Sequence, residues 1–332
     1  MAIGAPFFLQ RVYNCFMSRY REIDLSSLRR TTIEGRVSKT HIRDFGKPLP
    51  PNSMVTDLIA SLPHILAGDD LRLAVDSVAE AAISKKPVVL CMGAHVIKCG
   101  LAPVLIDLMR RGVITAIATN GAGAIHDSEI ALFGHTSEHV ERGIEDGVFG
   151  MMRETADFVN GSVAEGCKAG CGFGESVGKA LVGQNCANPQ MSLFASAYKL
   201  DIPVTVHVGV GTDIVHMHPS ADGAAIGECS LRDFRILTEC MRGLGGGGVL
   251  LNFGSAVILP EVVLKALTIL RNLEVDLAGF TSVNLDFLQH YRSTQQIVSR
   301  VKEVGGRGMA ITGHHEIMIP LLAAGVVSRL NG

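Results

Sequence analysis

The chain has 332 residues, with 30 Lys+Arg against 32 Asp+Glu, 47% hydrophobic and 19% charged residues. A near-neutral balance without a dense basic stripe argues against nucleic acid as a partner, and no apolar run reaches the ~18 residues of a membrane span. No charged segment precedes the short apolar opening as in a secretory leader, and the eight cysteines are scattered, so they read as reduced thiols of a cytoplasmic protein.

The Pro-rich point KPLPPNS at 47–53 separates an N-terminal extension, residues 1–50, from a single α/β domain over 51–332. Helical LIASLPHIL and LRLAVDSVAEAAI lead to PVVLCMG, an apolar run whose length and Val content predict a buried strand at 88–92. IKCGLAPVLIDLMRRG repeats apolar residues at helical spacing, and ITAIATNGAG then reads as a strand entering a glycine turn. Residues 137–187 are helical and glycine-broken, with no clear strand. NPQMSLFASAYKLD predicts a helix and IPVTVHVGVG a strand. Three more alternations follow: LRDFRILTECMRG to GVLLNFG, PEVVLKALTILRN to VDLAGFTSV, and STQQIVSRVKEVG to GMAITG. Strands separated by helices of this length predict a doubly wound, Rossmann-like parallel sheet with helices on both faces. Ligands of such sheets sit beyond the carboxyl ends of the strands.

The segments expected at those ends are MGAH, TNGAGAIHD, VGVGTDIVHMH, NFGSA, TSVNLD and TGHHE. Their glycines let backbone approach a ligand, and exposed N–H groups at helix starts favour an anion. No GxGxxG fingerprint is present, and GLGGGG at 243–248 precedes a strand instead of following one. His95, His126, His216, His218, His314 and His315 all fall in these segments, beside Asp127, Asp213 and Glu316. Several histidines converging from separate strands would supply acid–base groups or metal ligands. His216 and His218, alternating on a strand, would point the same way and form the most ligand-like pair. Glu138 and His139 read as a solvated helical face, and Cys91 and Cys99 as buried small hydrophobes.

The order of these segments over 87–325 resembles deoxyhypusine synthase. PVVLCMGAHVIKCGLAPVLIDLMRRG is similar to that family's first strand, turn and long helix, and ITAIATNGAGAIHDSEIA to its following glycine turn and acidic residues. The likeness continues through NPQMSLFASAYKLDIPVTVHVGVGTDIVHMH and GVLLNFGSAVILPEVVLKALTILRN. It ends in IVSRVKEVGGRGMAITGHHEIMIPLLAAG, which resembles the segment carrying the family's catalytic lysine and last strand. The resemblance implies NAD as cofactor, amine oxidation, and transfer of an aminoalkyl unit through an imine on a lysine, here Lys302, to a protein lysine. It implies that Asp213 holds the substrate ammonium with His218 following it; His126 and Asp127, at their strand end, are further catalytic candidates. Gly93, His95, Asn120, Gly121, Gly123, Gly254, Ser255, Thr281, Ser282 and His314 would line the NAD cleft. A homotetramer or homodimer is implied as well. The chain departs from the family at Arg300, where an aromatic residue is expected, and at Gln296, where a glutamate is. ILPEV stands where the active-site histidine is expected, and LDFLQHYRS replaces an acidic loop.

The leading expectation is therefore an NAD-dependent amine oxidase or aminoalkyl transferase whose small polar substrate differs from the family's spermidine. Two others stand beside it: a metal- or histidine-dependent enzyme built on His126, Asp127, His216, His218 and His314, and a non-catalytic ligand-binding protein.

Overall fold

The computed structural model describes residues 19–184 and 186–330. Spatial contacts divide the chain between His41 and Ile42. The described part of the first unit contains one 3-10 turn, Ile33–Gly35, and every described strand belongs to the second unit.

Two helices, α1 (Val55–Ser61) and α2 (Leu66–Ile83), lead into strand β1 (Val88–Met92). The chain continues through α3 (His95–Lys98) and α4 (Ala102–Arg110) to β2 (Ala116–Asn120). It then builds a helical insertion, α5 (Gly121–Phe133), α6 (Val140–Glu145), α7 (Arg153–Lys168), α8 (Phe173–Gly183) and α9 (Leu193–Lys199), before β3 (Val204–His207). After α10 (Gly223–Cys240) come β4 (Val249–Phe253), α11 (Ile258–Asn272) and β5 (Thr281–Asp286). The short α12 (Tyr291–Ser293) runs through a π-helical turn (Thr294–Ser299) and a 3-10 turn (Arg300–Val304) into β6 (Arg307–Thr312) and α13 (His315–Leu330).

The six strands form one parallel sheet in the order β3-β2-β1-β4-β5-β6. All five residues of β1 are fully buried, because the central strand is covered on both faces and its apolar run needs no polar side. Successive residues feed opposite cores. Val88, Leu90 and Met92 pack with α2, α4, α5 and α13, and Val89 and Cys91 pack with α11 and the 294–304 turns. Each such side chain contributes roughly 1.5–3 kcal/mol on burial.

The sequence places a strand within VDLAGFTSV, but β5 starts at Thr281. Asp276 accepts from the Ala278 N–H and Gly279 has φ +82, so the apolar stretch before Thr281 is a turn. The true strand was concealed by its buried polar residues, Ser282, Asn284 and Asp286. Asn284 Oδ1 accepts from Asn252 Nδ2 at 2.7 Å across the sheet. Strand order reverses between β1 and β4, where such folds open a crevice at the carboxyl ends. No helix of the described residues is long and apolar enough to cross a membrane.

Candidate functional site

Beyond the carboxyl ends of β2 and β3 lies a cavity of about 520 Å³, within the range of small-molecule sites. One wall is a single face of α5, carrying Ala122, Ile125, His126 and Glu129 at helical spacing, and Phe149, Met152 and Thr155 come from the insertion. Helix α5 starts directly at the end of β2 because the Asn120 side chain accepts from the Gly123 N–H at 3.2 Å.

Asp213, which lines this cavity, is only 6% exposed, and its Oδ2 has no hydrogen-bond partner among the described residues. A Cβ at Gly121 would stand 2.0 Å from that oxygen, so only glycine lets the carboxyl sit against the start of α5. Burial pushes the Asp213 carboxyl above its ordinary range, partly offset by His216 and the Ala122 N–H. His216 Nδ1 accepts from the Gly211 and Asp213 N–H groups, at 3.2 and 3.4 Å, which leaves Nε2 3.9 Å from Asp213 Oδ2.

On the α5 wall, His126 Nδ1 is 2.6 Å from the Thr136 hydroxyl, which donates to Glu129 Oε2. Glu129 Oε1 accepts from the Thr155 hydroxyl at 3.0 Å. Burial raises the Glu129 carboxyl, but the nearby His126 and hydrogen bonds from the Thr136 and Thr155 hydroxyls outweigh it and hold the group below its usual value.

At the reversal point the two central strands nearly touch. A Cβ at Gly93 would lie 2.5 Å from the Gly254 carbonyl oxygen, and one at Gly254, whose φ is +68, would lie 2.6 Å from the His315 ring. His315 is buried with its Nδ1 unpartnered, and burial holds its pKa below the ordinary value despite Asp286, whose Oδ1 lies 3.8 Å from Nε2. The half-exposed Phe287 ring lies 6.1 to 6.4 Å from the rings of His95, His314 and His315, and is parallel to His314. Ser255 Oγ accepts from the Leu259 N–H in the first turn of α11. The space beside Gly93 and Gly254 is filled by the Gly254 carbonyl and the His315 ring, while the strand order opens the crevice in which such folds take a dinucleotide. The start of α5 does not fit one of its phosphates, since Asn120 and Asp213 already fill that end.

No protein-family model and no curated protein sequence matches the chain. Solved structures do match. The ternary complex of AgrE with ornithine and NAD+ is 16% identical, with a TM-score of 0.51, over 80% of this chain and 34% of that one. A chain described as a conserved LOR/SDH protein of Methanococcus maripaludis S2 is 15% identical with a TM-score of 0.47, over 84% and 74%. Another, described as a deoxyhypusine synthase from Entamoeba histolytica, is 10% identical with a TM-score of 0.47, over 85% and 96%. This chain thus spans about a third of the AgrE chain it matches. What is shared is a Rossmann-like fold at low identity.

Several expected site residues lie elsewhere. Lys302 sits exposed in the 3-10 turn before β6, and Gly305 N–H closes that turn onto its carbonyl. Thr281 and Ser282 open β5, pairing with Val249 and Leu250 at the start of β4. All three are at the amino edge, separated from the carboxyl rim by the strand length of roughly 15–20 Å. Asp127 is fully buried on the other side of α5 from the cavity. It accepts from Ser192 Oγ and from the Leu193 and Phe194 N–H groups at 2.7 and 3.2 Å, holding the start of α9. His216 and His218 do not alternate on a strand. They flank the end of the 3-10 turn Ile214–Met217, with His218 Nε2 2.8 Å from the Gly150 carbonyl oxygen. Among the described residues no group of three His, Cys, Asp or Glu could hold a metal ion. Glu129, Thr136 and Thr155 went unread in the sequence, although Glu129 stands one helical turn after His126.

Proposed function

We propose that this chain is a nicotinamide-dinucleotide-dependent enzyme that acts on a small amine. The observation that carries this reading is the Asp213 carboxyl in the cavity lining, whose Oδ2 is buried against Gly121 with no hydrogen-bond partner among the described residues. A buried acid without a hydrogen-bond partner is costly unless a ligand completes it, and an ammonium group does so by charge and by donation. The apolar part of the wall, Ile125, Phe133, Val140, Phe149 and Ile214, suits a hydrocarbon chain attached to that ammonium. The AgrE complex, of the same fold, likewise pairs a cationic amine, ornithine, with NAD+.

Bound at the rim, a nicotinamide would accept the hydride leaving the amine-bearing carbon. The chain's own groups would do the rest: Asp213 orients the ammonium, the insertion excludes water, and His126 takes a proton. With Lys302 at the opposite edge, transfer through an imine on that residue is not part of the proposal.

Calorimetric titration with NAD+ and with putrescine as the probe amine tests this reading. Both should bind, and Asp213→Asn should weaken putrescine by about 2–4 kcal/mol, roughly 30- to 1000-fold, while leaving NAD+ binding unchanged. Equal putrescine affinity in the variant would refute the anchor.

A further inference from the structure

With Glu129 ionised, the hydrogen-bond chain on the α5 wall of the cavity has one consistent arrangement of protons. Glu129 receives two hydroxyl donors, Thr136 at Oε2 and Thr155 at Oε1, and stands 3.7 Å from His126 Nδ1. An ionised carboxylate suits all three neighbours, and it accepts only. The Thr136 hydroxyl has a single proton, which goes to Glu129. Its contact with His126 Nδ1 at 2.6 Å must then be an N–H donated to the Thr136 oxygen. In the neutral imidazole this leaves Nε2 as the lone-pair nitrogen, with no hydrogen-bond partner among the described residues.

We infer that His126 is the acid–base group of the cavity, and that Glu129 and Thr136 are positioning residues that hold it in the Nδ1–H form with Nε2 free to take a substrate proton. The side chain is buried enough to be held, at 18% exposed, and it lines the cavity together with Asp213. When Nε2 takes a proton, the ring becomes an imidazolium carrying N–H on both nitrogens, and Glu129 supplies the countercharge through Thr136. The proton comes from the ammonium held at Asp213, which becomes a neutral amine. The direction of the relay follows from the hydroxyl, since no other proton placement satisfies Thr136 and an ionised Glu129 together. Thr155 limits Glu129 from its other oxygen, so the carboxylate cannot turn away from Thr136 without losing a bond. This inference rests on the cavity being the substrate site, but its first test needs no substrate.

Long-range proton–nitrogen correlation spectra of the full chain labelled with ¹⁵N-histidine read the tautomer of each ring, and His126→Gln identifies the signal. At a pH where the ring is neutral, His126 should show a protonated Nδ1 and a bare Nε2. Thr136→Val should shift the tautomer ratio toward Nε2–H by about tenfold, and Thr136→Ser should restore the original pattern. A wild-type His126 carrying its proton on Nε2, or a Thr136→Val signal unchanged from wild type, would overturn the inference. Because the wild-type spectrum alone decides between the two tautomers, a variant that fails to fold does not leave the question open. Diethyl pyrocarbonate, which acylates a bare imidazole nitrogen, should modify His126, with putrescine protecting it. Correct tautomer without protection would retain the relay and remove the amine reading, so the two failures are distinct.

Discussion

Three buried aspartates show how one residue type takes different tasks from its surroundings. Asp127 and Asp233 accept from backbone N–H groups and hold helix starts, whereas Asp213 lines the cavity. Asp233 accepts from the Gly174 and Val206 N–H groups at 2.9 and 2.7 Å, yet burial still pushes its carboxyl up to about 7. Between the ordinary 3.8 and about 7 the folded chain binds a proton that the unfolded chain has released. Stability from this group is full below that window and falls as pH rises through it. Urea midpoints measured across the window should decline with pH, and Asp233→Asn should flatten the decline; an unchanged slope in the variant would contradict the assignment. Asp213 and His126 were legible in the sequence because they follow strands in polar, glycine-rich segments. Asp127 was not separable from His126 by sequence, since neighbours on a helix face different ways and only the packing of α9 shows which is which.

At the scale of elements, the approach of the β1 and β4 turns is the tightest constraint on the rim. Gly93→Ala places a methyl 2.5 Å from a backbone oxygen that cannot move without shifting β4. It should cost about 2–4 kcal/mol in chemical denaturation, and a loss below about 1 kcal/mol would mean the two turns separate easily. Lys302→Ala, at the other edge of the sheet, should leave NAD+ and putrescine affinities within about twofold of wild type, as expected for an exposed surface change. A loss of either would return that lysine to the site. The element order was readable because apolar runs alternate with helical spacing. The start of β5 was not, because Ser282, Asn284 and Asp286 break its apolar pattern, and propensity carries no information about the Asn252 partner that Asn284 finds on β4. The predicted HxH strand failed for a related reason: the Gly211 and Asp213 N–H groups bond His216 Nδ1 and help wind the segment into a 3-10 turn.

For the molecule as a whole, the parallel sheet was legible from composition and alternation, while its strand order was not. That order decides where the crevice opens, and it depends on which strand β4 joins after a long excursion. Residues 137–187 gain a purpose only in three dimensions, where the segment between α5 and α7 forms the outer wall of the cavity. The rim thus has one half over β1, β4, β5 and β6, carrying His95, Phe287, His314 and His315, and an acidic, enclosed half over β2 and β3. We propose that a dinucleotide occupies the first half and an amine the second. The most direct measurement is the near-ultraviolet absorbance of reduced nicotinamide when wild-type protein and NAD+ are mixed with a panel of small primary amines. An amine-dependent rise that Asp213→Asn removes is expected; a protein that binds no NAD+, or a rise equal in the variant, would contradict the proposal.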